Sequence, residues 1–403
     1  MQVLLAAVGT RGDVQPALAL ALELRELGHG VRLCTSPNFL GWAESLGIDA
    51  VPMGVEMRQP AKGASTMPKL TPEELRRLRA SLPDLVTDQF DTLAAAAKGC
   101  DLIVGANAHQ YAAPSIAERA RIGYVTTVYA PVAVPSLELA PPPLPGQEAS
   151  AGSITERWRD VAAAWNERAL ERVNANRVRL ELPPVEDVLE YVLTKHTWLA
   201  ADPVLAPLPT TPGRTLYQTG SWVLRDPRPL PPELETFLER GEPPIFVGFG
   251  SMPAAAEVST ALVGAARAVG RRLVVSKGWA NLELAHEAAD CITVEDVSHE
   301  RLFPRVAAVV HHGGAGTTAA AARAGVPQVI TPMFSDQFYW ANRVVELGVG
   351  ATTPHASLSE ASLADALASV LAPPIRERAR SLTDCLSSDG ARRAARALAD
   401  EYG

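Results

Sequence analysis

VAAVVHHGGAGTTAAAARAGVPQVITP, residues Val306 to Pro332, reads as a strand, a Gly-rich turn, an Ala-rich helix and a second strand. The apolar run stops at Val310. Gly313, Gly314 and Gly316 then let the backbone turn tightly and come close to a ligand. Gly325 closes the helix, and Gln328 to Thr331 resumes an apolar strand. A strand that feeds a helix and returns to a strand implies a parallel sheet. The first turn of the helix leaves the amides of Gly316, Thr317 and Thr318 without intrahelical acceptors, so they point at an anion placed before them. His312 and the Thr317 hydroxyl add donors. The stretch reads as a diphosphate cradle with no lysine and no obvious metal carboxylate. A lone Gly-rich turn needed only for close packing is the plainer alternative.

The flanking sequence argues against that plainer reading. Pro244 to Gly248 is a strand, GFGSM around Gly248 to Ser251 is a second Gly-rich turn, Glu257 to Val269 is a helix and Arg272 to Ser276 a strand. Both Gly loops then lie at carboxyl ends of strands, where open sheets bind ligands. Downstream, PMFSDQFYWANRV (Pro332 to Val344) starts a helix with Asp336 and Gln337. A carboxylate beside an amide can hold neighbouring sugar hydroxyls. Taken alone, Asp336 serves equally as a helix-start residue favoured by the dipole.

The amino-terminal half opens in the same way. Gln2 to Val8 is a strand, Gly9 to Val14 a loop, and a helix begins near Gln15 with Pro16 in its first turn and Leu18, Leu22 and Leu24 to Leu27 on its apolar face. Val31 to Cys34 is the next strand, and further strands are expected at Leu102 to Gly105 and Tyr124 to Val128. Leu75, Leu78, Leu82, Leu85, Val86, Phe90 and Leu93 recur at helical spacing behind an expected cap at Thr71. The GTRGDVQP loop lacks the lysine of a Walker motif and the third glycine of a dinucleotide fingerprint. It offers Asp13, which fits two roles equally from this loop alone: a helix cap, or a carboxylate that takes a proton from an attacking hydroxyl.

The chain has 403 residues, 47% of them apolar and 5% aromatic, enough for two cores rich in Ala, Leu and Val. The Pro-rich stretch at 206–232 reads as a linker, dividing an acceptor domain at 1–205 from a nucleotide-sugar domain at 233–403. The segment Gly390 to Tyr402 is an expected helix that packs back on the first domain. Lys plus Arg number 37 and Asp plus Glu 45, for a formal charge of -8, with no basic stripe, so nucleic acid is not an expected partner. Cys34, Cys100, Cys291 and Cys385 are far apart and read as buried free thiols. MQVLLAAVG carries no basic segment before its apolar run and reads as a strand. No apolar run approaches the roughly 20 residues of a membrane span. A cytoplasmic monomer is expected.

GTRGDVQP, GFGSM, VEDVSHERLFPRVAAVVHHGGAGTT and PMFSDQFYWANRV together resemble the GT-B glycosyltransferases of family 1, in particular the actinomycete vancomycin-type antibiotic group. The likeness extends over nearly the whole chain. It implies an α/β fold of two Rossmann-like domains facing an interdomain cleft. It also implies inverting transfer of a hexose from a UDP- or TDP-sugar to a hydroxyl of a small hydrophobic or amphipathic aglycone, of glycopeptide or polyketide type, with no cofactor and no metal. Asp13 matches the general base of the family. Thr10, Ser251, His312, Gly314, Gly316 and Thr317 match the surroundings of the donor diphosphate. Val297 matches the residue whose backbone meets the nucleotide base, and Asp336 with Gln337 the pair that contacts the sugar. His311 is expected to pack at the strand end. The intact Asp336-Gln337 pair leans toward glucose.

Bacterial sterol glycosyltransferases share the RGDVQP and DQFYW elements, so a sterol or lipid acceptor is the alternative within the family. An epimerase would use the same cradle, but the long loops at Val55 to Lys69 and Val132 to Gln147 argue for an acceptor. A non-catalytic nucleotide-sugar-binding protein would leave Asp13 idle. A nicotinamide oxidoreductase would need a GxGxxG after an opening strand, and neither half has one.

Overall fold

The computed structural model describes residues 1–56, 84–107, 109–142, 152–251, 256–279, 282 and 288–403. The chain forms two compact units. Of the described residues, one takes those up to Leu224 together with Ser388–Gly403, and the other takes those within Arg225–Ser387.

The first unit is built on strands β1 (Gln2–Ala7), β2 (Gly30–Thr35), β3 (Asp49–Pro52), β4 (Leu102–Ala106), β5 (Gly123–Val128), β6 (His196–Leu199) and β7 (Thr215–Gln218). They form one sheet in the order β3-β2-β1-β4-β5-β6-β7. The second unit holds β8 (Ile245–Gly248), β9 (Leu273–Ser276), β10 (Cys291–Val294), β11 (Ala308–His311), β12 (Gln328–Ile330) and β13 (Gly350–Thr352), in the order β10-β9-β8-β11-β12-β13. All pairings are parallel. Each sheet reverses its winding once, between β1 and β4 and between β8 and β11. This is the doubly wound order, and its reversal point is where such sheets take ligands. Each unit is therefore a Rossmann-like α/β fold.

Both faces of these sheets are covered, which explains why the strands read as continuous apolar runs. In the second unit, Ile245, Val247, Leu273, Val275 and Val310 belong to one core. Phe246, Val274 and Val309, one residue out of step, belong to another beside Phe303. Alternation along a strand separates the two layers.

The helices that position the sites are α1 (Arg11–Glu26), α2 (Leu85–Ala96), α3 (Ile154–Arg179), α4 (Ala315–Arg323), α5 (Gln337–Glu346) and α6 (Gly390–Tyr402). Helix α1 begins four residues before the expected Gln15. Thr10 is its N-cap and Asp13 lies inside the first turn, so Pro16 falls in the helix interior. The reason is local. The Asp13 carboxylate accepts the Thr10 amide at 2.7 Å and starts the helix early. The expected cap at Thr71 and the residues through Leu82 lie outside the described ones. Helix α2 has its own N-cap in Asp84, whose side chain accepts from Val86 N and Thr87 N, each at 3.2 Å.

The stretch at 206–232 is not wholly a connector. It carries β7, and Trp222 within it is buried against Tyr129 at 6.2 Å between ring centroids. Burying an indole and pairing an edge strand keep this chain with the first unit through Leu224. The cysteines are all free, but only Cys34 and Cys100 are buried; Cys385, in the turn Thr383–Cys385, is exposed. Among the described residues no helix is long and apolar enough to cross a membrane.

Helix α6 packs on α1. Ala391, Ala394, Ala395 and Leu398 are buried, and Arg392 pairs with Glu23 at 2.9 Å and Glu26 at 3.2 Å. Gly390 lets its start press against the Gly220 backbone. A Cβ there would lie 2.5 Å from both the Gly220 carbonyl carbon and the Ser221 oxygen. Backbone cannot give way as a flexible side chain can. Gly390→Ala is therefore expected to destabilise the first unit by about 1–3 kcal/mol, the usual cost of overpacking. Urea unfolding would read this as a lower midpoint, and an unchanged midpoint would contradict the packing described.

Candidate active site

In the first unit the site gathers at the reversal point between β1 and β4. Asp13 comes from the turn after β1 and Asn107 from the turn after β4. Asn107 Nδ2 donates to Asp13 Oδ1 at 2.7 Å and to the Val8 carbonyl at 3.1 Å. Asp13 Oδ2 accepts from the Thr10 amide and, at 3.2 Å, from the Thr10 hydroxyl. Gly9 makes room for this. A Cβ on Gly9 would lie 2.2 Å from Asp13 Oδ2, and the Gly9 φ of +143° suits glycine. Asp13 therefore does both things its loop allowed: it caps α1, and it presents a fixed, half-buried carboxylate.

Neutral groups surround that carboxylate. Tyr129 donates its hydroxyl to the Asp13 carbonyl at 3.1 Å, and burial followed by the Asp13 charge raises the phenol well above its ordinary range. Asn107 is itself held. Its Oδ1 accepts from His109 N at 2.9 Å, and its φ of 78° is left-handed, a conformation asparagine tolerates. The His109 ring stacks on Trp165 of α3 at 5.3 Å and 21°. Desolvation lowers the His109 pKa, with the Asp13 charge pulling the other way.

In the second unit the site gathers at the reversal between β8 and β11. His311 pairs in register with both Gly248 and Ile330, so these three strands end at one level. The turn after β8 carries Gly250 and Ser251, and the turn after β11 carries His312 to Gly314. The two turns touch. A Cβ on Gly250 would lie 3.2 Å from His312 Cε1, and one on Gly314 would lie 2.7 Å from His312 Nε2. Helix α4 has Gly314 as its N-cap and no side-chain cap. Its first turn thus keeps the amides of Ala315, Gly316 and Thr317 without a side-chain acceptor from Gly314, whereas the Thr318 amide, expected to be free, donates to the Gly314 carbonyl at 3.0 Å because it already lies one turn into the helix. Gly316 is exposed, with nothing within 4 Å of a Cβ placed on it. His312 is partly exposed, with its Nδ1 side buried and a hydrogen bond from the ring to the Gly248 backbone. Burial lowers the His312 pKa to about 4, with the nearby Gly248 backbone opposing the shift.

Gly313 brings the loop against α5. A Cβ on Gly313 would lie 3.0 Å from the Gln337 carbonyl oxygen. Gln337 is buried, and its Oε1 accepts from Met333 N at 2.8 Å and Phe334 N at 3.3 Å. Asp336 Oδ2 accepts from the Trp340 indole at 2.9 Å. Val297 lies between β10 and a short helix, His299–Leu302. Its side chain is buried in the core with Val294 and Phe303, so what it can offer a ligand is its backbone.

The structure thus brings together His312, Gly314, Ser251's turn, the start of α4 and the start of α5. It sets Thr10 with Asp13 in the other unit. Sequence reading missed Asn107, His109 and Trp165. A polar residue just after a strand at the reversal point was the available signal for Asn107. For Trp165 the signal was the Ser153–Glu156 capping box, whose two reciprocal bonds open α3, followed by apolar residues at helical spacing.

Comparison with known proteins gives the following. Residues 3–136 match the glycosyltransferase family 28 N-terminal domain. Residues 261–393 match the erythromycin biosynthesis protein CIII-like C-terminal domain. The chain is 43% identical to vancomycin aglycone glucosyltransferase of Amycolatopsis orientalis, over 99% of this chain and 97% of that one. It is 40% identical to dTDP-epi-vancosaminyltransferase of the same organism, over 94% and 92% of the two chains. Among solved structures, the glycotransferase of kitacinnamycin superposes with a TM-score of 0.74 over 100% of this chain and 99% of that one, at 19% identity.

Two of the second unit's histidines, His311 and His312, make its stability depend on pH. Burial holds His311 at about 3 and His312 at about 4, against an ordinary 6.5. Below 6.5 the unfolded chain binds protons that the folded chain refuses until those lower values are reached. Stability therefore falls as pH drops from 6.5 toward 4 and is insensitive to these groups above about 7. Each histidine contributes a slope of up to about 1.4 kcal/mol per pH unit in that window. Replacing His312 with Asn is expected to flatten the slope in urea titrations. A variant with the wild-type slope would show that His312 is not held neutral by the fold.

Proposed function

The chain belongs to the GT-B glycosyltransferases that include vancomycin aglycone glucosyltransferase, and on that premise we propose that it moves a hexose from a UDP- or TDP-sugar to a hydroxyl of a glycopeptide-type aglycone, with inversion and without a metal. The observation that carries this reading is the start of α4. A helix whose N-cap is glycine, beside the partly exposed and neutral His312 ring, is a receptor for the leaving diphosphate. The amides of Gly316 and Thr317, the Thr317 hydroxyl and His312 are neutral donors fixed in place. Such donors stabilise the charge that develops on the departing phosphate without reorganising. They take the part that a divalent cation plays elsewhere. Ser251 serves from the facing Gly turn, Gly314 lets the chain approach, and the Val297 backbone serves the base. Asp336 and Gln337 hold sugar hydroxyls.

Asp13 completes the reaction. As the acceptor oxygen bonds to the anomeric carbon, its proton passes to the carboxylate, and the carbon–phosphate oxygen bond breaks on the opposite face. The sugar carbon becomes oxocarbenium-like between the two events. One carboxylate and one displacement give inverted configuration. Asn107 and Thr10 hold the carboxylate's two oxygens, so its orientation is set before the acceptor arrives. The chemistry requires both units to act on one donor and one acceptor.

The test is incubation with UDP-glucose or TDP-glucose and a panel of aglycones, reading a hexose mass gain and the anomeric coupling of the product. Asp13→Asn is expected to lower turnover about a hundredfold or more while leaving UDP affinity unchanged. His312→Ala is expected to weaken UDP binding itself. Wild-type turnover in Asp13→Asn would remove Asp13 from the mechanism. Isomerised donor without acceptor would point to an epimerase.

A further inference from the structure

His311 ends β11 and is fully buried. It has no route to a ligand, yet its ring makes two specific hydrogen bonds. Its Nδ1 accepts from the Gly313 amide at 3.1 Å. Its Nε2 lies 2.9 Å from Gln328 Oε1, and Gln328 Nε2 donates to the Thr318 carbonyl at 3.2 Å. An imidazole that accepts at Nδ1 must carry its proton at Nε2, so its partners set the tautomer. The chain of bonds joins the end of β11, the first glycine of the loop, the first turn of α4 and the start of β12. It therefore holds both ends of the segment Gly313 to Thr318. The Gly313 peptide is held from its other side as well. Its φ is +98°, and a Cβ there would meet Ile330 Cγ2 at 2.8 Å.

The geometry points to His311 as the positioning residue of the diphosphate loop, fixing the amides of Gly316 and Thr317 in their binding arrangement before any ligand arrives. This rests on the proposed role of that loop. A neutral ring is the only form that serves. A protonated one would turn a second donor against the Gly313 N–H, and burial with His312 beside it keeps the ring neutral. A loop fixed in advance loses less entropy on binding and needs no rearrangement when the phosphate departs.

Two substitutions separate the two bonds. His311→Asn keeps an acceptor where Nδ1 stands and drops the link to Gln328. His311→Gln keeps a donor near Nε2 and leaves the Gly313 amide without its acceptor. Calorimetric titration with UDP is expected to show His311→Gln weakened about tenfold or more and His311→Asn within about threefold of wild type, a tenfold change being about 1.4 kcal/mol. Steady-state kinetics should raise the donor KM and lower kcat in His311→Gln, with the acceptor KM unchanged. Wild-type UDP affinity in both variants would overturn the proposal. So would equal weakening of both in step with lost thermal stability, since a role in packing alone does not distinguish the two bonds. Should either variant fail to fold, the nitrogen shifts of His311 in the ligand-free wild type decide: a proton on Nε2 supports the assignment and a proton on Nδ1 overturns it. If wild type and His312→Ala bind UDP equally, the reading of the loop itself has failed, apart from any result at His311.

Discussion

Everything in this molecule that bears on chemistry follows from what stands at the start of two helices. Both α1 and α4 follow a strand at the reversal point of a parallel sheet, and both present N–H groups there. Helix α1 carries an anion of its own at that end. The Asp13 carboxylate accepts from the Thr10 amide, and Asn107 takes the other oxygen. Helix α4 begins at Gly314, which has no side chain to offer. The same local structure holds an internal anion in one unit and, in the proposed reaction, takes an external one in the other.

In the proposed reaction, that difference divides the labour of the transfer. A carboxylate held by two neutral donors has a fixed direction and takes a proton without moving. A loop of amides beside a neutral imidazole receives negative charge without a counter-charge of its own. Burial matters on both sides. It keeps Tyr129 protonated near the base and keeps His311 and His312 unprotonated near the loop. The glycines at 9, 250, 313 and 314 follow from these needs, because a Cβ at each would meet a group that forms one of the sites.

Much of this was legible in the sequence. The strand–loop–helix pattern around Val306 to Pro332 and around Gln2 to Cys34 gave two parallel sheets, since apolar runs broken by glycine have few other solutions. The grouping of His312, Gly314 and Gly316 at one helix start was legible because the strand, turn and helix that carry them are consecutive. Asn107 was not, because its partner Asp13 is distant in sequence and meets it only through the pairing of β1 with β4. The start of α1 was misplaced because Pro16 dominated the reading, whereas the Asp13 carboxylate decides where the helix begins. Strand β7 was hidden among prolines, and only its place at a sheet edge and the burial of Trp222 beyond it explain why that chain stays with the first unit. The His311–Gln328 pair reads as core from sequence, since nothing in the pattern tells a packed imidazole from a bonded one.

A crystal structure of the protein with a nucleoside diphosphate tests the central claim most directly. The account predicts phosphate oxygens on the amides of Gly316 and Thr317 and on His312, with the Asp13 carboxylate still bonded to Thr10 and Asn107. Phosphate seated instead on the first turn of α1, with Asp13 displaced, would contradict it.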